Sequence, residues 1–81
     1  MPRVYHVVAR WDGEAGVWVA ESEDVPGLIA EAASPNALNA KLRVLVPELL
    51  QLNAAGPAPG EPVEFIVRYH HEESSVTALA S

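Results

Sequence analysis

Trp11-Asp-Gly-Glu-Ala-Gly-Val-Trp-Val-Ala-Glu-Ser-Glu-Asp-Val-Pro-Gly-Leu28 decides the fold. Its first residue ends an apolar run, and Asp12-Gly13 with Gly16 gives a polar turn with positions for positive φ. Residues 17–22 alternate in a β-branched and aromatic pattern and read as a strand. Glu23-Asp24-Val25-Pro26-Gly27 then bends the chain, because proline ends a ladder and glycine permits the bend. Outward from this stretch, residues 3–11 read as a first strand and residues 28–32 as a short third one. The three make an antiparallel meander.

Downstream, Ser34 has the character of an N-cap and Pro35 that of a first helical residue. Leu38, Leu42, Leu45, Leu49 and Leu52 follow at spacings of four and three, one stripe along a helix. Pro47 falls inside the stripe, so the helix is expected to kink there or to restart with Pro47 as a new first position. Asn53 to Gly56 closes it. Gly56-Pro-Ala-Pro-Gly-Glu-Pro62 is a stiff loop, residues 63–69 are a fourth strand, and residues 70–81 read as a flexible tail after a single domain over residues 1–69. A helix between strands three and four is a crossover, and crossovers join parallel strands. The expected fold is α+β, in the order β-β-β-α-β, with a four-stranded mixed sheet (order 3-2-1-4) and one Pro-kinked helix on one face.

Composition narrows the function. With 81 residues the chain has a thin core. It has no cysteine, which removes disulfides and thiolate zinc sites and agrees with a reducing, cytoplasmic setting. No apolar run approaches the roughly 20 residues of a membrane span, and the N-terminus lacks the basic-then-apolar layout of a secretion signal. The net charge is −6. Asp12, Glu14, Glu21, Glu23, Asp24 and Glu31 lie between residues 11 and 34 with no base among them, so the whole excess sits on strands two and three and their turns. Such a field repels nucleic-acid phosphates and attracts basic proteins; the plainer alternative is that it keeps a small domain in solution.

The hairpin, the acid before Pro26-Gly27 and the Ser34-Pro35 helix start resemble the HicB-like antitoxin superfamily. The runs Trp11-Asp12…Glu14-Ala15-Gly16-Val17-Trp18-Val19-Ala20 and Pro47-Glu48-Leu49-Leu50…Asn53 are most similar to its bacterial branch of small domains of unknown function. The resemblance covers residues 4–69. It implies a truncated RNase H-like sheet and, as the superfamily's role, neutralisation of a small basic RNA-cleaving toxin. The residues after 69 are too few for the superfamily's C-terminal DNA-binding element, so DNA binding is not expected to carry over.

Catalytic readings are weak. Two-metal nuclease chemistry needs convergent carboxylates, and the first strand has none before Asp12, the helix none before Pro47, and the fourth strand only Glu64. His70, His71, Glu72 and Glu73 read as a solvated tail rather than a metal site, His6 as a sheet-face residue, and Ser22, Ser74 and Ser75 lack a paired His and acid. No cofactor or enzymatic activity is expected. The sheet itself is more informative. Val4 and Val8 oppose Tyr5, Val7 and Ala9 across strand one, Val17 and Val19 oppose Trp18 and Ala20, and Ile66 opposes Val63, Phe65 and Val67. One helix covers one face, so another chain is expected on the other. The expectation is a non-enzymatic, antitoxin-type module that shields a small basic partner through Glu21, Glu23, Asp24 and Glu31. Trp18 is either an anchor for that partner or core. A stand-alone homodimer or higher oligomer with a non-toxin partner is the alternative.

Overall fold

The computed structural model describes residues 3–53, 56–58, 60–71 and 78. Five elements follow in the expected order: β1 (Val4–Asp12), β2 (Val17–Glu21), β3 (Ile29–Ala32), α1 (Pro35–Leu52) and β4 (Glu64–His70). They form a mixed sheet of order β3-β2-β1-β4, with β1 antiparallel to β2, β2 antiparallel to β3, and β4 parallel to β1. β4 runs to His70, one residue beyond the strand read from sequence. Of the tail expected over 70–81, residues 72–77 and 79–81 lie outside the described residues.

The turns show why the chain folds back where it does. Residues 13–16 close the β1–β2 hairpin, with the Gly16 N–H donating to the Asp12 carbonyl at 2.8 Å. The Asp12 carboxylate accepts from the Glu14 and Ala15 N–H groups at 3.1 and 3.3 Å. Gly16 takes a φ of 68°; Gly13 does not enter that region, so only one of the two expected glycines supplies positive φ. Asp12 does the remaining work by capping the loop amides with its own side chain. After β2, Val25-Pro26-Gly27-Leu28 is a tight turn closed by the Leu28 N–H on the Val25 carbonyl at 3.2 Å. Proline sits where φ is fixed, and Gly27 follows at φ 81°.

Ser34 caps α1 in extended conformation, its hydroxyl accepting from the Ala37 N–H at 3.1 Å, with Pro35 at the first turn. The helix runs unbroken to Leu52 with Pro47 inside it, so the restart does not occur. Val46 and Leu50, both sealed in the core on either side of the proline, hold the helix against the sheet and offset the missing hydrogen bond. The buried row is Leu38, Leu42, Val46 and Leu50, not the leucine stripe expected from spacing. Residues four apart drift about 40° per step around the helix, so the covered strip slants across the leucine stripe instead of following it: Leu45 and Leu49 are half-buried and Leu52 is exposed.

That row lies on a floor of small side chains. Ala9, Ala20, Ala30 and Ala32 face it from β1, β2 and β3, and Tyr5 and Val7 continue the floor along β1. Alanine lets the helix axis sit close to the sheet, and the leucines fill the space that the alanines leave. Val25 and Leu28, on either side of the Pro26-Gly27 turn, are sealed into the same core. Asn53 fastens the far end: its side-chain amide donates to the Leu49 carbonyl at 2.9 Å and to the Pro26 carbonyl at 3.2 Å. No helix among the described residues is long and apolar enough to cross a membrane.

Candidate protein-binding face

Alternation along each strand fixes what lies on the side of the sheet away from α1. The register aligns His70, Arg10, Val19 and Glu31 in one row across the four strands, and Arg68, Val8, Glu21 and Ile29 in the next. His6 and Ile66 pair below, then Val4 and Glu64. Val4, Val8, Val17 and Val19 are half-buried. Ile29 is 78% exposed and Ile66 45% exposed. The open face is therefore aliphatic in its middle, with Arg10, Arg68 and two histidines on its β1–β4 half, Glu64 at the lower end of that half, and Glu21 and Glu31 on its β2–β3 half.

At the end of β2 the sheet is extended by side chains rather than by backbone. Val8 and Glu21 are the last pair of the β1–β2 ladder. Beyond them the His6 carbonyl accepts from the Ser22 hydroxyl at 2.5 Å, and the His6 N–H donates to the Asp24 carboxylate at 2.8 Å. The Ser22 oxygen also accepts from the Asp24 and Val25 N–H groups at 3.1 and 3.2 Å. Ser22 and Asp24 so stand in for the strand that has turned away, and leave no orphan backbone group on His6. The backbone hydrogen bond from His6 holds the Asp24 carboxyl below the usual carboxylate range, assisted by the Arg3 guanidinium at 3.2 Å and opposed by partial burial. An open depression of about 510 Å³ lies here, lined by His6, Val8, Arg10, Glu21, Ser22, Glu23 and Asp24.

The five residues singled out from the sequence do not share one surface. Glu21 and Glu31 lie on the open face, and exposed Glu23 lies at its rim. Asp24 is half-buried and engaged by Arg3 and His6. Trp18 is on the helix side, half-buried, opposite Trp11 on β1 and Ala32 on β3. Its ring centroid is 5.4 Å from that of Trp11 and 5.1 Å from that of Tyr69, the latter edge-on, and His71 stands 5.9 Å away. The Tyr69 hydroxyl reaches the Pro35 carbonyl at 3.3 Å, and burial pushes its phenol up from the ordinary value. Trp18 thus belongs to an aromatic cluster that packs the start of α1 against the end of the hairpin. Trp11, 36% exposed, is the tryptophan more open to solvent.

Sequence reasoning placed His6 on a sheet face but passed over Arg10, Arg68 and His70 as its neighbours there. Their signal was their spacing: every second residue on two strands that the 3-2-1-4 order makes neighbours. Reading each strand separately hid it. At the β3 edge, Lys41 Nζ donates to the Glu31 carbonyl at 2.6 Å and occupies an outward backbone acceptor. Asp12 lies at one end of β1 and Glu64 pairs with Val4 at the other, about 26 Å apart along the strands. Among the described residues no three His, Asp or Glu side chains are grouped to hold a metal ion.

The model of the family described as Domain of unknown function (DUF1902) matches residues 4–78. The crystal structure of hypothetical protein TTHA1013 from the extremely thermophilic bacterium Thermus thermophilus is similar to this chain with a TM-score of 0.68 and 48% sequence identity, over 93% of this chain and 100% of that one. No curated protein matches. The chain belongs to the DUF1902 family of domains.

Proposed function

We propose that this domain is a non-enzymatic protein-binding module whose working surface is the open face of its sheet, built on the plan of the HicB-like antitoxins. The observation that carries this reading is the clothing of the sheet. One side is covered by α1 over β1, β2 and β3, while the other leaves Ile29 and Ile66 in solvent among half-buried valines. Aliphatic side chains on a flat face gain by being covered, and the charges around them give a partner its orientation. The carboxylates divide in keeping with this role: Asp12 caps a loop, Asp24 caps a strand, and Glu21, Glu23 and Glu31 remain outward.

A small basic protein is the foreign partner that Glu21, Glu23 and Glu31 favour. The test is affinity capture from the native cell at low salt with the full chain, in parallel with a variant carrying Glu21→Gln, Glu23→Gln and Glu31→Gln. A basic protein retained by the first and lost by the second supports the antitoxin-type reading. Equal retention by both overturns it.

A further inference from the structure

The charges of the open face are arranged for a copy of the same face. We propose that two copies of this chain pack open face to open face about a two-fold axis parallel to the strands, between β1 and β2. The proposal rests on the reading of the open face as the working surface and names an occupant for it. The geometry is simple. Rotation about that axis exchanges left and right, so β3 of one copy lies over β4 of the other and β2 over β1, with the sheets about 10 Å apart. In the upper row, Glu31 then faces His70 of the second copy, with Arg68 one row away. Glu21 faces Val8 of the second copy, between Arg10 and His6 along β1. Glu21 and Glu31 thus meet bases of the second copy, each contact occurring twice, while Glu64 lies beyond the end of the facing β3.

The charge pattern also rejects the competing arrangement. A two-fold axis across the strands sets β3 over β3 and β4 over β4. With the strands fully overlapped, Glu31 and Glu21 then meet only β3 and β2, which carry no base on this face, and Arg68 meets His70, so neither acid is paired with a base. An acidic face alone would have suited only a basic partner. A face with Glu21 and Glu31 on one half and Arg10 and Arg68 on the other suits itself under one of the two operators. Four strands about 4.8 Å apart and some six residues long give a face of roughly 19 by 20 Å. Two such faces bury on the order of 1,000 Å², near the lower end for a specific interface, so the pair forms in a concentration-dependent manner.

Sedimentation equilibrium of the full chain, with Glu31→Arg, Arg68→Glu, the double variant and an equimolar mixture of the two single variants, tests this. Both positions are exposed, and circular dichroism checks that the fold is kept. Each single variant places like charges at both symmetric contacts and should weaken self-association by roughly tenfold or more. The double variant and the mixture restore opposite charges at both, and should recover wild-type association to within about threefold. A single variant that dimerises as well as wild type overturns the arrangement. So does a mixture no better than its components. The chain has two isoleucines, Ile29 and Ile66, and both lie on this face. Isoleucine methyl NMR therefore reads the face alone, and both signals should move with concentration. A chain that is monomeric at millimolar concentration overturns the pairing. If added basic partner then shifts the two methyl signals, the open face stands as the working surface. Should neither a second copy nor that partner move them, the reading of the face itself falls as well.

Discussion

Replacing Ile29 by Thr separates what the open face does for folding from what it does for binding. Ile29 is 78% exposed, so folding removes about a fifth of its side chain from water. Full burial of such a side chain is worth about 2–3 kcal/mol, which leaves about 0.5 kcal/mol or less at stake in the isolated domain. Threonine keeps the branched β-carbon and hence the strand preference. In contrast, Leu42 is fully buried, and Leu42→Ala should cost about 2–5 kcal/mol. Binding reverses the order. Covering the face removes most of the remaining isoleucine surface, and the exchange to threonine forfeits about 1–1.5 kcal/mol per copy. A symmetric pair carries the change twice, so association weakens by about 2–3 kcal/mol, or roughly 30- to 150-fold. Urea unfolding at low micromolar concentration gives the first quantity and sedimentation equilibrium the second. A loss of folding stability above about 1.5 kcal/mol would mean that residues of the same chain cover Ile29. An unchanged association constant would mean that the open face is not where a second copy sits. Either result refutes the corresponding half of the reasoning.

Asp24→Asn should destabilise the domain at neutral pH. The carboxyl is held below its ordinary value in the folded chain, so between the two values the unfolded chain binds more protons and stability rises with pH. The difference between wild type and variant in thermal unfolding should therefore be full above about pH 5 and close as pH falls through 4 and below. Gly27→Ala should cost about 1–2 kcal/mol in urea unfolding through its φ of 81° alone, because the added carbon would meet the Leu49 Cδ2 atom at an ordinary 3.9 Å. Pro47→Ala should stabilise the domain by about 1–2 kcal/mol, since restoring the amide to the Arg43 carbonyl outweighs the greater freedom of the unfolded chain; an unaltered denaturation midpoint would show that the helix is already relaxed around the proline.

Much of the fold was legible because its signals are local. Asp12 to Gly16 can close only a short loop, Val25-Pro26-Gly27-Leu28 turns wherever it occurs, and Ser34-Pro35 starts a helix with its own side chain. A crossover helix after a meander leaves β4 a parallel place beside β1. The site was less legible. Charge singled out Glu21, Glu31 and Asp24 alike, but not that Asp24 is engaged, because the backbone group that claims it belongs to His6, eighteen residues earlier. Trp18 and Glu21 are three residues apart and lie on opposite sides of the sheet, a separation set by strand alternation and visible once the strand is drawn.

By itself the sequence determined the order of elements, the turns between them and the parity of every side chain along its strand, since these depend on neighbours a few residues away. Only the tertiary structure decided which parity α1 would cover. Both sides of β1 carry aliphatic residues, so hydrophobicity did not choose. The side with alanine at positions 9, 20, 30 and 32 won, because small residues from three strands make a floor on which Leu38, Leu42, Val46 and Leu50 can lie close. That choice, made by packing between residues far apart in the chain, put Val4, Val8, Ile29 and Ile66 outside, with Glu21 and Glu31 on one half of the face and Arg10 and Arg68 on the other.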